Sequence, residues 1–236
     1  MDERRQRVLR QHLRTDQLLG IEQVPAGDAA ANPPKPARLD RDQKLQVLRQ
    51  LDETEVRPCT RCELSAGRIQ TVFGDGDPDA DVMFVGEGPG KNEDEQGRPF
   101  VGRAGELLNN MIKAMGYTRE KVYIANIVKC RPPENRAPTA MEIGACAGFL
   151  KRQILTINPK VIVTLGGPAV KALLGKKEGV TRLRGTWHQF CPEAGGAAIP
   201  VMPTFHPAYL LRAYTKENRE KVWSDLQEVM VRVGQA

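Results

Sequence analysis

The 236-residue chain contains only three histidines, few aromatic residues and no long apolar run. A membrane-spanning helix needs about 18 consecutive apolar residues, and no segment of the sequence approaches that length. The arginine-rich residues 1–19 include acidic residues and lack the apolar centre of a secretory signal. These absences predict a cytosolic protein without transmembrane helices.

The acidic residues do not balance the basic ones, and the formal net charge is +6. A basic protein mildly favours an anionic partner such as a nucleic acid. A basic protein that binds no such partner fits this charge equally well, so the charge alone leaves both possibilities open.

The phosphate loop of nucleotide-binding proteins is also missing. A Walker loop needs a glycine, four residues and then Gly-Lys-Ser or Gly-Lys-Thr, but Asn92 follows Gly90-Lys91 and Val85 stands five places before Gly90. Residues 85–102 instead combine glycines with carboxylates after an apolar run. Because glycine lets a ligand approach the backbone closely, we expect this loop to hold a ligand other than a triphosphate.

The N-terminal 56 residues have the composition of an extension rather than of a domain. Residues 1–22 predict a short amphipathic helix, residues 24–36 a proline-rich flexible linker, and residues 40–56 a second helix capped by Asp40. We therefore divide the chain into a helical and flexible extension, residues 1–56, and one domain, residues 57–236. The extension could contact DNA or a protein partner, or simply present a solvated helix face.

Four apolar segments rich in β-branched residues predict strands, and the amphipathic segments between them predict helices. Strands that alternate with helices favour a parallel sheet covered on both faces. We predict an α/β fold with three layers, α/β/α, around a central four-stranded, mostly parallel sheet, plus the helical N-terminal extension. The predicted strands are residues 81–86, 121–126, 160–165 and 199–205, and the predicted helices are residues 103–115, 139–157, 166–175 and 217–233.

Polar residues follow the predicted strands at the edge where ligands bind in open α/β sheets. Glu87 follows the first strand, Asn126 ends the second, and His206 comes directly after the fourth. An asparagine can donate and accept along an amide-like edge such as a nucleobase, and a histidine can donate to an oxygen that gains charge. Each residue alone could be structural, and Phe100 could be a core residue or a stacking ring. Their common edge favours a shared site.

Four of the five cysteines form a pattern. Cys59 and Cys62 make a Cys-x-x-Cys pair, while Cys130 and Cys146 lie further along the chain. Disulfides are rare in cytosolic proteins, so the set favours a metal or an iron–sulfur cluster. The wide second spacing fits a [4Fe–4S] cluster at least as well as zinc, and four unrelated buried thiols are the alternative. Cys191 stands apart.

The sequence resembles the family 4 uracil-DNA glycosylases, the iron–sulfur branch of that superfamily, over roughly residues 57–230. The resemblance is specific because several segments agree in both order and spacing. These segments are residues 86–90, 93–94, 97–102, 126–136, 183–185 and 206–212. It implies a bacterial or archaeal DNA-repair hydrolase, a monomer, that flips uracil out of single- or double-stranded DNA and cleaves its N-glycosidic bond to start base excision repair.

The resemblance also implies roles for individual residues. Phe100 would stack on the uracil, Asn126 would read its O4 and N3–H edge, Glu93 would crowd the C5 position, and His206 would stabilise charge at O2. Glu87 would belong to the catalytic set, and Gly86 and Gly88 would bring bare backbone to the base. The implied DNA contacts are Leu210 or Leu211 as a wedge and Arg212 against phosphate, and the implied [4Fe–4S] ligands are Cys59, Cys62, Cys130 and Cys146.

Two other functions fit the sequence less well. One is a non-catalytic or covalently trapping uracil-DNA binding protein of the same fold. The trapping kind carries a basic insertion after the second strand, whereas residues 131–139 are short here. The other is a redox-sensing iron–sulfur protein whose crevice binds no base. Alkali-induced strand scission of a uracil-containing oligonucleotide distinguishes the glycosylase from both.

Overall fold

Apolar runs that are almost entirely buried form the central strands of a six-stranded sheet in the computed structural model, which describes residues 39–193 and 196–234. Such continuous apolar strands are typical of a parallel sheet covered on both faces. The strands are β1 (Asp75–Gly76), β2 (Val82–Gly86), β3 (Tyr123–Asn126), β4 (Val161–Leu165), β5 (His188–Phe190) and β6 (Ile199–Thr204).

The strand order is β1-β3-β2-β4-β6-β5. The four central strands pair in parallel, with Gly86 of β2 opposite Asn126 of β3 and Leu165 of β4 opposite Thr204 of β6. The two short edge strands, β1 and β5, pair antiparallel to β3 and β6. The predicted parallel sheet of four strands is confirmed, and the structure adds an antiparallel strand at each edge.

Helices cover both faces of the sheet. One face packs under Leu51, Phe149 and Leu173, and the other under Ile112 and Leu226, so the predicted three-layer α/β/α fold is confirmed. The helices are α1 (Arg41–Leu51), α2 (Leu64–Gly67), α3 (Lys91–Gln96), α4 (Arg103–Ala114), α5 (Ala140–Ile157), α6 (Gly167–Leu174), α7 (Val180–Leu183), α8 (Pro207–Arg212) and α9 (Lys216–Val233). Short 3-10 turns occur at Arg119–Lys121 and Pro133–Asn135.

Local sequence signals explain where the helices begin and end. Thr139 and Glu142 form the capping box that the sequence predicts at the start of α5. Gly175 adopts the left-handed conformation that ends α6, with φ of 63°. Four short helices were not predicted: α2, α3, α7 and α8. Of these, α3 lies inside the glycine-rich loop, and α8 follows His206 directly.

The segment predicted as the end of an N-terminal extension packs on the sheet. Helix α1 continues into a π-helical turn, Asp52–Val56, and buries Leu48, Leu51 and Val56 in the core beneath the sheet. The compact unit that contains the sheet starts at Leu39, so the predicted boundary between residues 56 and 57 falls inside it. The predicted helix at residues 1–22 and the linker at residues 24–36 lie outside the described residues.

Within the described ranges, no helix combines the length and the apolar character needed to cross a membrane.

Truncation of Leu51 tests whether α1 belongs to the folded core. The Leu51→Ala substitution leaves a cavity at a fully buried position, so we expect the free energy of unfolding to fall by about 2–5 kcal/mol. Leu45→Ala, on the same helix but 42% exposed, is the matched control and should cost about 0.5 kcal/mol or less. A loss for Leu51→Ala as small as that expected for Leu45→Ala, measured by urea unfolding, would contradict the core role of α1.

Candidate active site

The carboxyl ends of the central strands meet at one edge of the sheet. Gly86 and Asn126 are paired neighbours at the ends of β2 and β3. The amide of Gly166, after β4, donates to the carbonyl of Thr204 at the end of β6 at 2.9 Å. A Cβ on Gly166 would lie 3.0 Å from the Cβ of His206. The structure thus brings the residues after all four central strands to a common edge, as the sequence predicts.

The bare backbone of Gly86 lies against two of the predicted site residues. A Cβ at this position would come within 2.5 Å of both Oδ1 of Asn126 and Cζ of Phe100. Any side chain here would therefore displace the amide or the ring. The close approach joins Gly86, Phe100 and Asn126 in one small volume, which agrees with their predicted common role.

Asn126 carries a buried acceptor without a partner. Its side chain is 1% exposed, and Oδ1 forms no hydrogen bond with any of the described residues. A buried polar atom that is left unpaired costs about 1–3 kcal/mol. Because this oxygen lies beside Gly86 at the ligand edge of the sheet, a ligand that donates a proton to it would remove the penalty.

Phe100 is a buried ring on a strained backbone. Its φ of 54° lies in the left-handed region, which is rare for a bulky residue. The ring centroid lies 5.5 Å from that of His206, with 30° between the ring planes. The ring also belongs to the core cluster on this face of the sheet. Backbone strain of this kind is found at functional sites, so the stacking role remains a prediction.

His206 has a defined tautomer. It caps helix α8, and its Nδ1 accepts a hydrogen bond from the amide of Ala208 at 3.0 Å. In the neutral imidazole the proton therefore resides on Nε2, which is free to donate. Burial, assisted by the charge of Arg212 and opposed by that of Glu93, lowers the pKa of His206 to about 4. The ring is therefore a neutral donor at pH 7.

A buried carboxylate fixes the strand that leads to His206. Asp225 of α9 accepts hydrogen bonds from the Thr204 hydroxyl at 2.6 Å and from two nitrogens of Arg184 at 2.6 and 3.1 Å. Arg184 belongs to the 183–185 segment that carries the family resemblance. Through Asp225, Arg184 helps to hold the carboxyl end of β6 in place.

Glu93 braces the glycine-rich loop. Its two carboxylate oxygens accept from the backbone amides of Gly90 at 3.1 Å, Val101 at 2.8 Å and Gly102 at 3.0 Å. The neighbouring Asp94 is buried and accepts from the amide of Ile69. Glu93 therefore closes the loop around Phe100, a structural role that the sequence did not suggest.

Glu87 and Gly88 complete the predicted set. Glu87 is half-buried, and burial raises the pKa of its carboxyl group above the usual value. At Gly88 a Cβ would lie 2.9 Å from Cγ2 of Val128. The position has no room for a side chain and supplies backbone only.

The structure separates the two leucines predicted to contact DNA. Leu210 is 2% exposed and packs in the core with Phe205, so it is not available as a wedge. Leu211 is 37% exposed, and the next residue, Arg212, is also exposed. Of the pair predicted from sequence, Leu211 is the one at the surface.

The four patterned cysteines line one cavity beside the sheet, whereas Cys191 is exposed and lines a different one. Arg68 donates to the sulfur of Cys130 at 3.2 Å, and the amide of Lys129 donates to the sulfur of Cys146 at 3.3 Å. Burial raises the pKa of both thiols, that of Cys146 to about 11. Donors that point at these sulfurs fit thiolate ligands.

No three histidine, cysteine or acidic side chains in the described part of the chain are grouped so that they could hold a single metal ion.

Lys129 connects the cysteine cavity to Asn126, a contact that was not predicted from the sequence. The side chain is 1% exposed, and its Nζ donates to the carbonyl of Asn126 at 2.9 Å and to Oε1 of Gln153 at 2.6 Å. Burial lowers the pKa of its ammonium group to about 8. From the sequence alone, a lysine between an apolar run and a cysteine is expected at the surface. Its burial depends on its partner Gln153, which lies on helix α5 and is not apparent from the local sequence.

The family model and several similar proteins found by comparison carry the same family name, uracil-DNA glycosylase. The family model described as the uracil DNA glycosylase superfamily matches residues 73–227. Type-4 uracil-DNA glycosylase of Thermotoga maritima is 47% identical over 184 residues, which cover 78% of this chain and 93% of the relative. That of Sulfurisphaera tokodaii is 44% identical over 74% of this chain and 80% of its own length. A type-5 enzyme of Pyrobaculum aerophilum is 32% identical over 57% of this chain and 64% of its own length.

The tautomer of His206 is measurable by NMR of the imidazole nitrogens. We expect a neutral ring with the proton on Nε2 from pH 8 down to pH 5, and a titration midpoint of about 4. Because this pKa lies below that of an unfolded histidine, about 6.5, folding stability should decline as the pH falls below that value. A midpoint near 6.5 would contradict the buried donor.

Proposed function

The chain belongs to the uracil DNA glycosylase superfamily, and we propose that it is a type-4 uracil-DNA glycosylase. In this role it hydrolyses the N-glycosidic bond of uracil in DNA and starts base excision repair. The chain is 47% identical to one type-4 relative, over 93% of that relative's length, but only 32% identical to a type-5 relative. A non-catalytic or trapping binding protein is not favoured by these relatives.

The unpaired Oδ1 of Asn126 is the observation that carries this proposal. Uracil presents an N3–H donor beside its O4 acceptor, and the asparagine amide offers the complementary acceptor and donor. Uracil in the pocket would satisfy the buried oxygen. Cytosine presents an unprotonated N3 and an amino group, so the same amide orientation would face an acceptor with an acceptor.

A base inside a duplex is out of reach, so the nucleotide must leave the stack before the reaction. Phe100, whose ring is fixed beside His206, is suited to stack on the extruded uracil. When the bond to the sugar breaks, negative charge develops on the uracil, and Nε2–H of His206 is suited to donate to O2. One preorganised donor of this kind lowers the activation barrier by roughly 3 kcal/mol.

Hydrolysis needs a water molecule to attack the sugar, and residue 88 cannot position that water through a side chain. Gly88 offers no side chain and no room for one. We assign the water to the half-buried carboxylate of Glu87 together with nearby backbone. Glu93, fixed by three amides, belongs to the rigid wall at the C5 position, where a thymine methyl group would have to fit.

We propose that Cys59, Cys62, Cys130 and Cys146 hold a [4Fe–4S] cluster. Their common cavity and the donors directed at two of the sulfurs support this ligand set. When bound, the cluster supplies a structural brace, since hydrolysis of the bond needs no electron transfer. Lys129, which contacts both the cavity and the Asn126 carbonyl, would carry that rigidity to the residue that reads the base.

The DNA contacts follow from the exposed face of α8. Leu211 would fill the space that the flipped base leaves, and Arg212 would contact phosphate. Cysteines that hold a cluster rather than form disulfides suit the reducing cytosol, where we place the enzyme as a monomer acting on single- or double-stranded DNA.

An oligonucleotide assay tests the activity and the reading residue together. We expect alkali-labile sites in uracil-containing DNA and none in the matching cytosine-containing DNA. Asn126→Ala should slow uracil release and also raise the ratio of cytosine to uracil release. Asn110→Ala, at an exposed position of α4, is the control and should leave both unchanged. An active Asn126→Ala enzyme with unaltered selectivity would defeat the assignment of this residue.

Iron and sulfide analysis tests the cofactor. Cys130→Ala should reduce bound iron and acid-labile sulfide, lower the melting temperature and slow uracil release, because the ligand and the brace of Asn126 are lost together. Cys191→Ala is the matched control, since this thiol is exposed and outside the cavity, and it should retain iron and activity. Stoichiometric zinc in the unaltered protein, or a stable and fully active iron-free Cys130→Ala variant, would refute the cluster or its role.

A further inference from the structure

We infer that Arg119 is a positioning residue that holds the ring of Phe100 in the geometry for stacking on the extruded base. The inference rests on the proposed function, because the ring has this task only in a base-binding pocket. Arg119 is not itself a catalytic residue, and its contacts with the pocket pass through the backbone of residues 99 and 100.

The backbone of Phe100 needs outside support. With φ of 54°, it occupies a conformation that a bulky residue avoids unless its surroundings impose it. The ring now lies against Gly86, and its centroid is 5.5 Å from that of His206. Relaxation of the backbone to negative φ would move the ring away from both residues. Something close to residue 100 must therefore hold the peptide in place.

Arg119 binds this peptide directly. Its guanidinium donates to the carbonyl of Phe100 at 3.2 Å, and a second nitrogen donates to the carbonyl of Pro99. The two consecutive carbonyls thus share one planar fork, a geometry that a lysine ammonium cannot reproduce. The side chain is 13% exposed, so water competes little for these bonds.

Two further residues fix the orientation of the fork. Asn109 of α4 accepts from Arg119 at 3.0 Å through Oδ1, and Asp75 of β1 accepts at 3.4 Å. The guanidinium therefore ties the loop to a helix and to the edge strand at once. Its position is determined by elements that lie outside the pocket.

The opposite side of the Phe100 carbonyl is closed by Gly105. A Cβ at Gly105 would overlap this carbonyl oxygen, so the first turn of α4 can approach only because the residue is glycine. The carbonyl is held between α4 and Arg119, and this arrangement leaves the ring on the side of Asn126. Glu93 supports the same loop from the next two amides, those of Val101 and Gly102.

Arg119→Lys is the direct test, and Arg98→Lys is its matched control. Both arginines bind Asp75, but only Arg119 reaches the two carbonyls. We expect Arg119→Lys to slow uracil release in single turnover about 10-fold or more, since small misplacements at a reacting site cost that much. Arg98→Lys should stay within about twofold of the unaltered enzyme.

A double-mutant cycle with Phe100→Ala shows whether Arg119 acts through the ring. If it does, Arg119→Lys should add less than about a twofold loss in the Phe100→Ala background. An undiminished loss in that background would overturn the inference, because it would show a general structural role. Should Arg119→Lys fail to fold, Asn109→Ala, which only releases the fork, takes its place in the same cycle.

A crystal structure of the Arg119→Lys protein provides a readout that does not depend on activity. We expect φ of Phe100 to leave the left-handed region and the ring to move from its 5.5 Å separation from His206. Unchanged geometry would overturn the inference even if the protein is an active glycosylase. Absence of uracil release by the unaltered protein would instead defeat the proposed function, and the crystal structure would still decide the role of Arg119.

Discussion

The site depends on a close approach of backbone, amide and ring at Gly86. Because this residue has no side chain, Asn126 and Phe100 can converge above the end of β2, 2.5 Å from where a Cβ would stand. The spacing is set by the pairing of β2 with β3, which places Gly86 opposite Asn126. Several charged side chains around them hold these residues, or the segments that carry them, in place.

The supports come from separate parts of the fold. Glu93 gathers the loop amides, Arg119 holds the Phe100 peptide, and Lys129 binds the Asn126 carbonyl from the side of the cysteine cavity. Behind His206, Asp225 secures the end of β6. These supports are charged groups with low exposure whose hydrogen bonds are directed at backbone or at strand ends. Polar bonds from several elements therefore hold the ligand edge, in addition to the apolar core that packs the strands and helices together.

Sequence reasoning found the features that depend on local patterns. The four parallel strands, the capping box of α5 and the shared edge of Asn126 and His206 all follow from periodicity and strand ends. It missed the features that depend on distant partners. Strand β1 has only two residues and exists because β3 pairs with it. The burial of Lys129 depends on Gln153 of α5. Which leucine of α8 faces solvent was also undetermined, since the helix itself was not predicted.

The orphaned oxygen of Asn126 has a consequence for how such a protein would search a genome. Undamaged sites outnumber a lesion by roughly a millionfold or more, so an error on ordinary bases matters more than slow recognition of the rare target. A pocket that merely attracted uracil would still retain some cytosine. A base that donates no hydrogen bond to the buried oxygen leaves the cost of the unpaired acceptor in place. Such a base would therefore bind weakly and dissociate quickly. In the proposed function, selectivity would thus be built into the site before any substrate arrives.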